Sequence, residues 1–332
     1  MREDQLAAYL RRKLPDAADL AVANLARIPG GASRETWSFD ARWTARGTPV
    51  ERAFIVRRDP PASLLESNAS LEFELYTALE GSGIPAPRVL WYEPDGAELE
   101  RPFFVMERLP GITDARTLAH SPEWAEQRPL IARQKAEVLA RIHRFDIGRL
   151  RSLERPPSPE TAALHEVEKW ERTMRQDALE PQPVLEFAFS WLRRHLPPPP
   201  ERLALVHGDY RSGNFLFDKT GITGVLDWEM AHAGDPIEDV GWLAIKSWRW
   251  GTDRTGGLCS REEFVRMYEE AGGAKVDPAA LKFWEVFSNV KFAIIFITGT
   301  KAVVSGKSAD MLLAVTAFIN PGLEAEILEL IG

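Results

Sequence analysis

One cysteine, Cys259, stands among 332 residues. That excludes an intramolecular disulfide framework and a zinc site built from several thiolates. A lone thiol is by default an inert, partly buried group. A surplus of positive charge is missing as well. Lys and Arg number 41 against 49 Asp and Glu, so the formal charge is −8, and the two signs are mixed along the chain. A nucleic-acid binder should present a basic surface, so no such partner is expected. Long apolar runs are few. The most apolar late stretch, Phe292 to Val304, is bounded and interrupted by Lys291 and Lys301. It is too short to span a bilayer and reads as a buried helix. The opening residues Met1-Arg2-Glu3-Asp4-Gln5 lack the apolar core of a signal peptide. Neither internal repeats nor low-complexity tracts stand out. These absences point to a cytoplasmic enzyme with no membrane attachment, long enough for two lobes with separate cores.

The stretch that carries chemistry is His207-Gly208-Asp209-Tyr210-Arg211-Ser212-Gly213-Asn214, with Asp227-Trp228-Glu229 beginning thirteen residues after the Asn. Apolar runs flank it: Leu203 to Val206 before, Phe215 to Phe217 inside, and Gly224 to Leu226 just ahead of Asp227. Such short runs bounded by Gly and Asp read as a hairpin-like unit that carries a polar loop. A carboxylate, an amide and a second carboxylate at these separations suit phosphoryl transfer from a metal-bound nucleotide. Asp209 would orient a hydroxyl and take its proton, while Asn214 and Asp227 would hold magnesium. Glu229 could reach a second ion or pair with a cation. His207, directly before Gly-Asp, is expected to brace the loop.

The same residues resemble the catalytic core of the aminoglycoside phosphotransferase (APH-like) family, distant relatives of protein kinases. The wording is especially similar to the branch related to kinase domains fused to acyl-CoA dehydrogenases. The resemblance runs from about Ile28 to the C-terminus. It implies an α+β, bilobal, protein-kinase-like fold: an N-lobe over 1–107 with an antiparallel sheet and one key helix, and a mostly helical C-lobe over 108–332. It also implies a nucleotide site for ATP or GTP with Mg2+. Gly31 and Ser33 match the loop that covers the phosphates, and Arg34 stands where many members have Asn. Arg57 takes the place of the family's phosphate-pairing Lys, a departure because Arg is a planar, always-charged fork. Glu72 matches the helix carboxylate that pairs with that cation. Met106, Glu107 and Leu109 fall in the hinge, with Met106 at the back of the adenine pocket and backbone groups of the other two reading the base.

The remaining chain fits around these points. Leu6, Leu10 and Leu14 predict a helix over 4–14, and Leu71, Leu75 and Leu79 one over 69–80. Ala53 to Arg58 reads as a strand stopped by Pro60-Pro61, and Phe103 to Glu107 as another. A helix over 134–145 places His143 on an apolar face as a packing or hydrogen-bonding residue. Two more helices over 160–196 use Trp170 and Trp191 as core anchors. Asp235-Pro236-Ile237-Glu238 reads as a helix start, with Asp capping, Pro first and Glu reaching back. Asp235 is then structural, and Asp239 is expected to tie that helix to the catalytic loop. Trp242, Trp248 and Trp250, with Arg249 and Arg254, either wall an acceptor pocket or form an aromatic packing face.

The resemblance implies a small-molecule hydroxyl as acceptor. Residues 151–205 hold eight Lys or Arg against nine Asp or Glu, so no acidic surplus awaits a polycation. The Arg and Trp cluster at 248–254 fits an anionic or apolar acceptor better, which leans toward a hydroxyacyl-CoA or related hydroxylated metabolite, with an antibiotic phosphotransferase as the alternative. Arg57 in place of Lys would also suit a nucleotide-binding protein without transfer. A protein kinase fits poorly, because the helix start at Asp235 leaves little room for an activation segment after Asp227.

Overall fold

The computed structural model describes residues 1–28, 34–59, 69–308 and 310–332. They form two compact units, 1–81 with 86–110 and 82–85 with 111–332. The chain is α+β and has the kinase-like fold that the motifs implied.

The first unit is built on a five-stranded antiparallel sheet. Its strands are β1 (Ala17–Ile28), β2 (Glu35–Ala45), β3 (Thr48–Arg58), β4 (Val89–Glu93) and β5 (Phe103–Glu107), in the order β1-β2-β3-β5-β4. The β2–β3 hairpin closes through two residues, Arg46 and Gly47, both with positive φ. That turn matches the right-handed twist of the flanking strands. Helix α1 (Glu3–Lys13) has acids in its first turn and Arg11, Arg12 and Lys13 in its last, which complements the helix dipole. It buries Leu6 and Leu10 against Leu20, Phe39, Phe54 and Phe103. Helix α2 (Ala69–Leu79) packs on β4 and β5. Both helices stand where leucine spacing placed them, over 4–14 and 69–80. Gly31 and Ser33, between β1 and β2, lie outside the described residues.

The second unit carries α3 (Ala115–His120), α4 (Arg128–Arg144), α5 (Ala162–Asp177) and α6 (Pro183–Arg194) before its strands. Strand β6 (Ala204–Val206) pairs with β9 (His232–Gly234), and β7 (Phe215–Asp218) forms a hairpin with β8 (Gly221–Val225). Then follow α7 (Ile237–Ala244), α8 (Arg261–Glu270), α9 (Pro278–Val304), α10 (Met311–Val315) and α11 (Asn320–Ile331).

Helix α9 corrects the reading of residues 292–304. Asp277 caps it by accepting from the Ala279 and Ala280 N–H groups, and Pro278 takes the first position. The helix then runs 27 residues, long and apolar enough to cross a membrane by length and composition. Two thirds of that apolar window is buried within the fold, with α5, α6, α7, α10 and α11 against it. It is a core helix of this unit. Trp191 is also corrected. Trp170 is buried, but Trp191 is only half-buried and stacks on His195, centroids 4.2 Å apart.

Candidate active site

The loop between β6 and β7 places Asp209 and Asn214, and the end of β8 places Asp227. Antiparallel pairing sets Phe215 opposite Val225, and the Leu226 N–H donates to the Asn214 carbonyl at 2.8 Å. Asn214 and the Leu226-Asp227 step therefore lie side by side on one hairpin. Asp227 has φ +67, a left-handed conformation that Asp tolerates better than most residues.

Asp209 is held on several sides. The Asn214 amide nitrogen donates to its Oδ2 at 2.6 Å and to its carbonyl at 2.9 Å. Arg211 Nε lies 3.1 Å from both carboxylate oxygens. The Trp242 indole N–H donates to Oδ1 at 2.8 Å. With its nitrogen spent on Asp209, Asn214 keeps its amide oxygen as the atom that could hold a metal. An amide oxygen and the Asp227 carboxylate are hard oxygen donors that suit magnesium.

The loop beneath is fixed by its neighbours. Asp239 accepts from the His207 N–H at 2.8 Å and from the Gly208 N–H at 2.9 Å. His143 Nε2 lies 3.1 Å from the same carboxylate, and its Nδ1 lies 2.6 Å from the Tyr268 hydroxyl. The expected tie from Asp239 and the hydrogen-bonding role of His143 are both present. Burial alone would raise the Asp239 carboxyl, but the hydrogen bond from His143 and the neighbouring imidazoles hold it below the ordinary range. His207 braces the loop as expected: Nδ1 accepts from the Asp209 N–H and Nε2 donates to the Leu226 carbonyl. Burial pushes this imidazole down, with Asp239, Asp209 and Asp227 pulling the other way. Gly208 has φ +80, and a Cβ there would run into the Met230 carbonyl oxygen, so only glycine fits.

Sequence reasoning missed the contacts that four residues make here. Arg211 and Trp242 touch Asp209, as described. Lys291, on α9, donates to the Gly208 carbonyl at 2.8 Å and pairs with Glu238 at 3.0 Å. Lys135, on α4, is buried under the loop and donates to Ser212 Oγ at 3.1 Å, with the Phe215 ring 4.5 Å away. Burial pushes its ammonium down to about 7. Helical spacing carried a signal for Trp242, which lies three residues after Asp239 and so shares its face.

Around Asp235 the outcome is mixed. Asp235 accepts from the Ile237 N–H at 2.9 Å and from Trp284 Nε1 at 3.1 Å, a structural role as expected. Glu238 does not reach back to cap the helix. It turns inward to Lys291 and to His232 Nε2 at 3.1 Å, because a buried cation binds a carboxylate more strongly than a backbone N–H does. Arg249 donates to the Ala244 carbonyl, and Arg254 to those of Gly257 and Ala119. Both guanidinium groups are structural. Trp242 and Trp248 form an aromatic packing face with Phe292.

Glu166, His232 and Glu238 come close enough together to hold an ion. Both His232 nitrogens already face acceptors, the Met230 carbonyl at 3.0 Å and Glu238, and Lys291 and Lys169 neutralise the acids. The cluster reads as an ion-pair network around an imidazolium. Burial would lower this ring, yet the charges of Glu166 and Glu238 outweigh it and raise it from 6.5 to about 9. A raised folded-state value gives stability that is full below pH 6.5 and lost as pH climbs through about 9. The loss expected is about 3 kcal/mol. Lys135 titrates in the same window with the opposite sign. The check is therefore the difference between wild type and His232→Gln in denaturant titrations at pH 6 and about pH 9.5. Wild type should lose that stability relative to the variant.

In the first unit, Arg57 donates to Glu72 Oε1 at 2.5 Å, both buried. Arg34, open in its role from sequence, is buried and pairs with the other oxygen of Glu72 and with Asp59 at 3.0 Å. Glu72 thus serves two guanidinium groups. The Glu107 N–H donates to the Arg88 carbonyl at 2.9 Å, and the Arg108 N–H to Ala53 at 3.0 Å. The Leu109 N–H has no hydrogen-bond partner among the described residues. Met106 is buried at the end of β5, paired with Ile55.

Comparisons with known proteins bear on the family and the fold. The family model described as "Phosphotransferase enzyme family" matches residues 24–284. Acyl-CoA dehydrogenase family member 10 of Mus musculus is 31% identical over 66% of this chain and 22% of its own length. Member 11 of Rattus norvegicus is 29% identical over 86% of this chain and 37% of its own. The chain therefore spans about a fifth to two fifths of these relatives. Among solved structures, a Ralstonia eutropha protein assigned as an aminoglycoside phosphotransferase superposes with TM-score 0.74 at 20% identity, covering 99% of this chain and 97% of the other. Aminoglycoside phosphotransferase APH(4)-Ia, solved with AMP-PNP and hygromycin B, gives 0.66 at 19% identity, covering 98% of each chain. These likenesses establish the kinase-like fold. The chain belongs to the phosphotransferase enzyme family.

Proposed function

We propose that this protein transfers the γ-phosphate of ATP to a hydroxyl of a hydroxyacyl-CoA or a closely related acyl metabolite. The observation that carries the reaction is the hairpin that holds Asp209 and Asn214 on one loop with Asp227 beside it. Asp209 is the base. The acceptor oxygen attacks the γ-phosphorus, its proton passes to the Asp209 carboxylate, and the bond from phosphorus to the departing ADP oxygen breaks. Asn214 and Asp227 hold magnesium, which when bound neutralises charge on the nucleotide phosphates. Arg57, steadied by Glu72, binds phosphate. The Glu107 carbonyl and the Leu109 N–H read the adenine, with Met106 behind it. Gly31 and Ser33 cover the phosphates in this reading. Most of the rate comes from positioning and charge neutralisation rather than covalent chemistry.

Electrostatics around Asp209 favours the acyl acceptor. Its carboxylate is paired with the cation Arg211. A polycationic aminoglycoside would meet a like charge there. The relatives are named as acyl-CoA dehydrogenase family members, which supports an acyl-CoA-related acceptor.

ADP release should be measured with MgATP across hydroxyacyl-CoAs, other hydroxylated metabolites and aminoglycosides. The highest kcat/KM is expected for a hydroxyacyl-CoA, and a preference for an aminoglycoside would replace that acceptor. Asp227→Ala should weaken MgATP binding at least about tenfold in calorimetry, with metal-free ATP binding little changed. Unchanged MgATP affinity would remove Asp227 from the metal site.

A further inference from the structure

Helix α7 contributes more to the reaction than a packed wall. Three of its residues reach three successive residues of the catalytic loop. Asp239 holds the His207 and Gly208 N–H groups. Glu238 holds Lys291, which donates to the Gly208 carbonyl. Trp242 donates to Asp209 Oδ1 at 2.8 Å.

A carboxylate at the end of a short side chain can turn about two bonds. The two oxygens of Asp209 are nonetheless distinguished: Oδ2 belongs to Asn214 and Oδ1 to Trp242. Arg211 reaches both and so fixes neither. The indole N–H is a donor only and does not titrate, so it can hold the carboxylate without competing for its proton. The ring itself is fixed. Trp242 is 2% exposed, with the Trp248 and Phe292 rings 5.6 Å away and Lys291 Nζ 5.0 Å from its centroid. Close contact between α7 and α9 sets its depth, since a Cβ at Gly241 would lie 2.6 Å from that of Trp284.

We propose that Trp242 is a positioning residue for phosphoryl transfer, holding one oxygen of Asp209 so that the other is presented to the incoming hydroxyl in a single orientation. The inference rests on Asp209 as the base. Its effect runs through Asp209 alone, so the two substitutions are not independent.

The test uses the full chain and MgATP alone, following slow hydrolysis to ADP. Trp242→Phe keeps an aromatic ring and removes the N–H. It is expected to lower kcat about 10- to 100-fold and leave KM for MgATP within about twofold. Phe292→Leu, which disturbs the same ring packing, should stay within about threefold of wild type. In the double variant with Asp209→Asn, the Trp242→Phe loss should vanish, because its target is already gone. An acceptor-free readout accompanies this. The indole N–H signal missing from the NMR spectrum of Trp242→Phe should shift in Asp209→Asn.

Multiplying losses, an unshifted indole signal, or Trp242→Phe at wild-type kcat would overturn the role of Trp242. Failure of the functional reading looks different: wild type releases no ADP, or Asp209→Asn retains more than a tenth of its turnover. In that case the inference falls with it.

Discussion

Asp209→Asn is expected to lower turnover by about two to four orders of magnitude, the range that a positioned base supplies. The substitution changes both chemistry and geometry. An amide cannot take the acceptor proton near neutral pH. It also turns one of its two ends into a donor, which must then face the Trp242 indole N–H or the Asn214 amide nitrogen. Two donors face to face cannot bond, so the side chain must rotate out of its present orientation. MgATP affinity should stay within about threefold, because the proposed phosphate and metal residues are untouched. Rapid-quench ADP formation with saturating MgATP and the best acceptor from the panel separates these effects. A loss of less than tenfold would show that Asp209 is not the base.

Asp239→Ala should be the most destabilising single change in the second unit outside its apolar core. Its carboxylate is fully buried and takes hydrogen bonds from two consecutive loop N–H groups and from His143. Alanine leaves all three without an acceptor. Each buried unsatisfied group costs about 1–3 kcal/mol, and partial relaxation brings the expected total to about 3–5 kcal/mol. Denaturant unfolding should show a lower midpoint at unchanged slope. Activity should fall as well, because the backbone that carries Asp209 loses its support. A loss below about 1 kcal/mol would mean that water or a rearranged His143 replaces the carboxylate.

Local patterns in the sequence carried much of this architecture. Leucine spacing marked α1 and α2 to within a residue or so, because one buried stripe dictates such a helix. The spacing of Asp209, Asn214 and Asp227 was legible because a two-stranded hairpin converts sequence separation into adjacency. The tie from Asp239 to the catalytic loop was legible, but other tertiary partners were not. Nothing local says that Lys291, in an apolar helix, will meet the Gly208 carbonyl, or that Lys135 will sit beneath Ser212. Glu238 had the right position for a capping box, yet a lysine 53 residues away captured it. Helix α9 was underestimated because its first half mixes polar residues such as Glu285, Ser288 and Asn289 into a face that is nonetheless buried.

Glu72 has a consequence for how this chain can drift. Its two carboxylate oxygens are divided between Arg57 and Arg34. Losing either arginine leaves a buried carboxylate still paired, whereas losing the glutamate removes the buried acceptor that both guanidinium groups share. Stranding a buried charge costs far more than trimming one of two partners. The arginines can therefore be sampled one at a time by mutation, with the remaining one keeping the fold intact. The carboxylate is the group both arginines share, so of the three positions it is the one least free to vary.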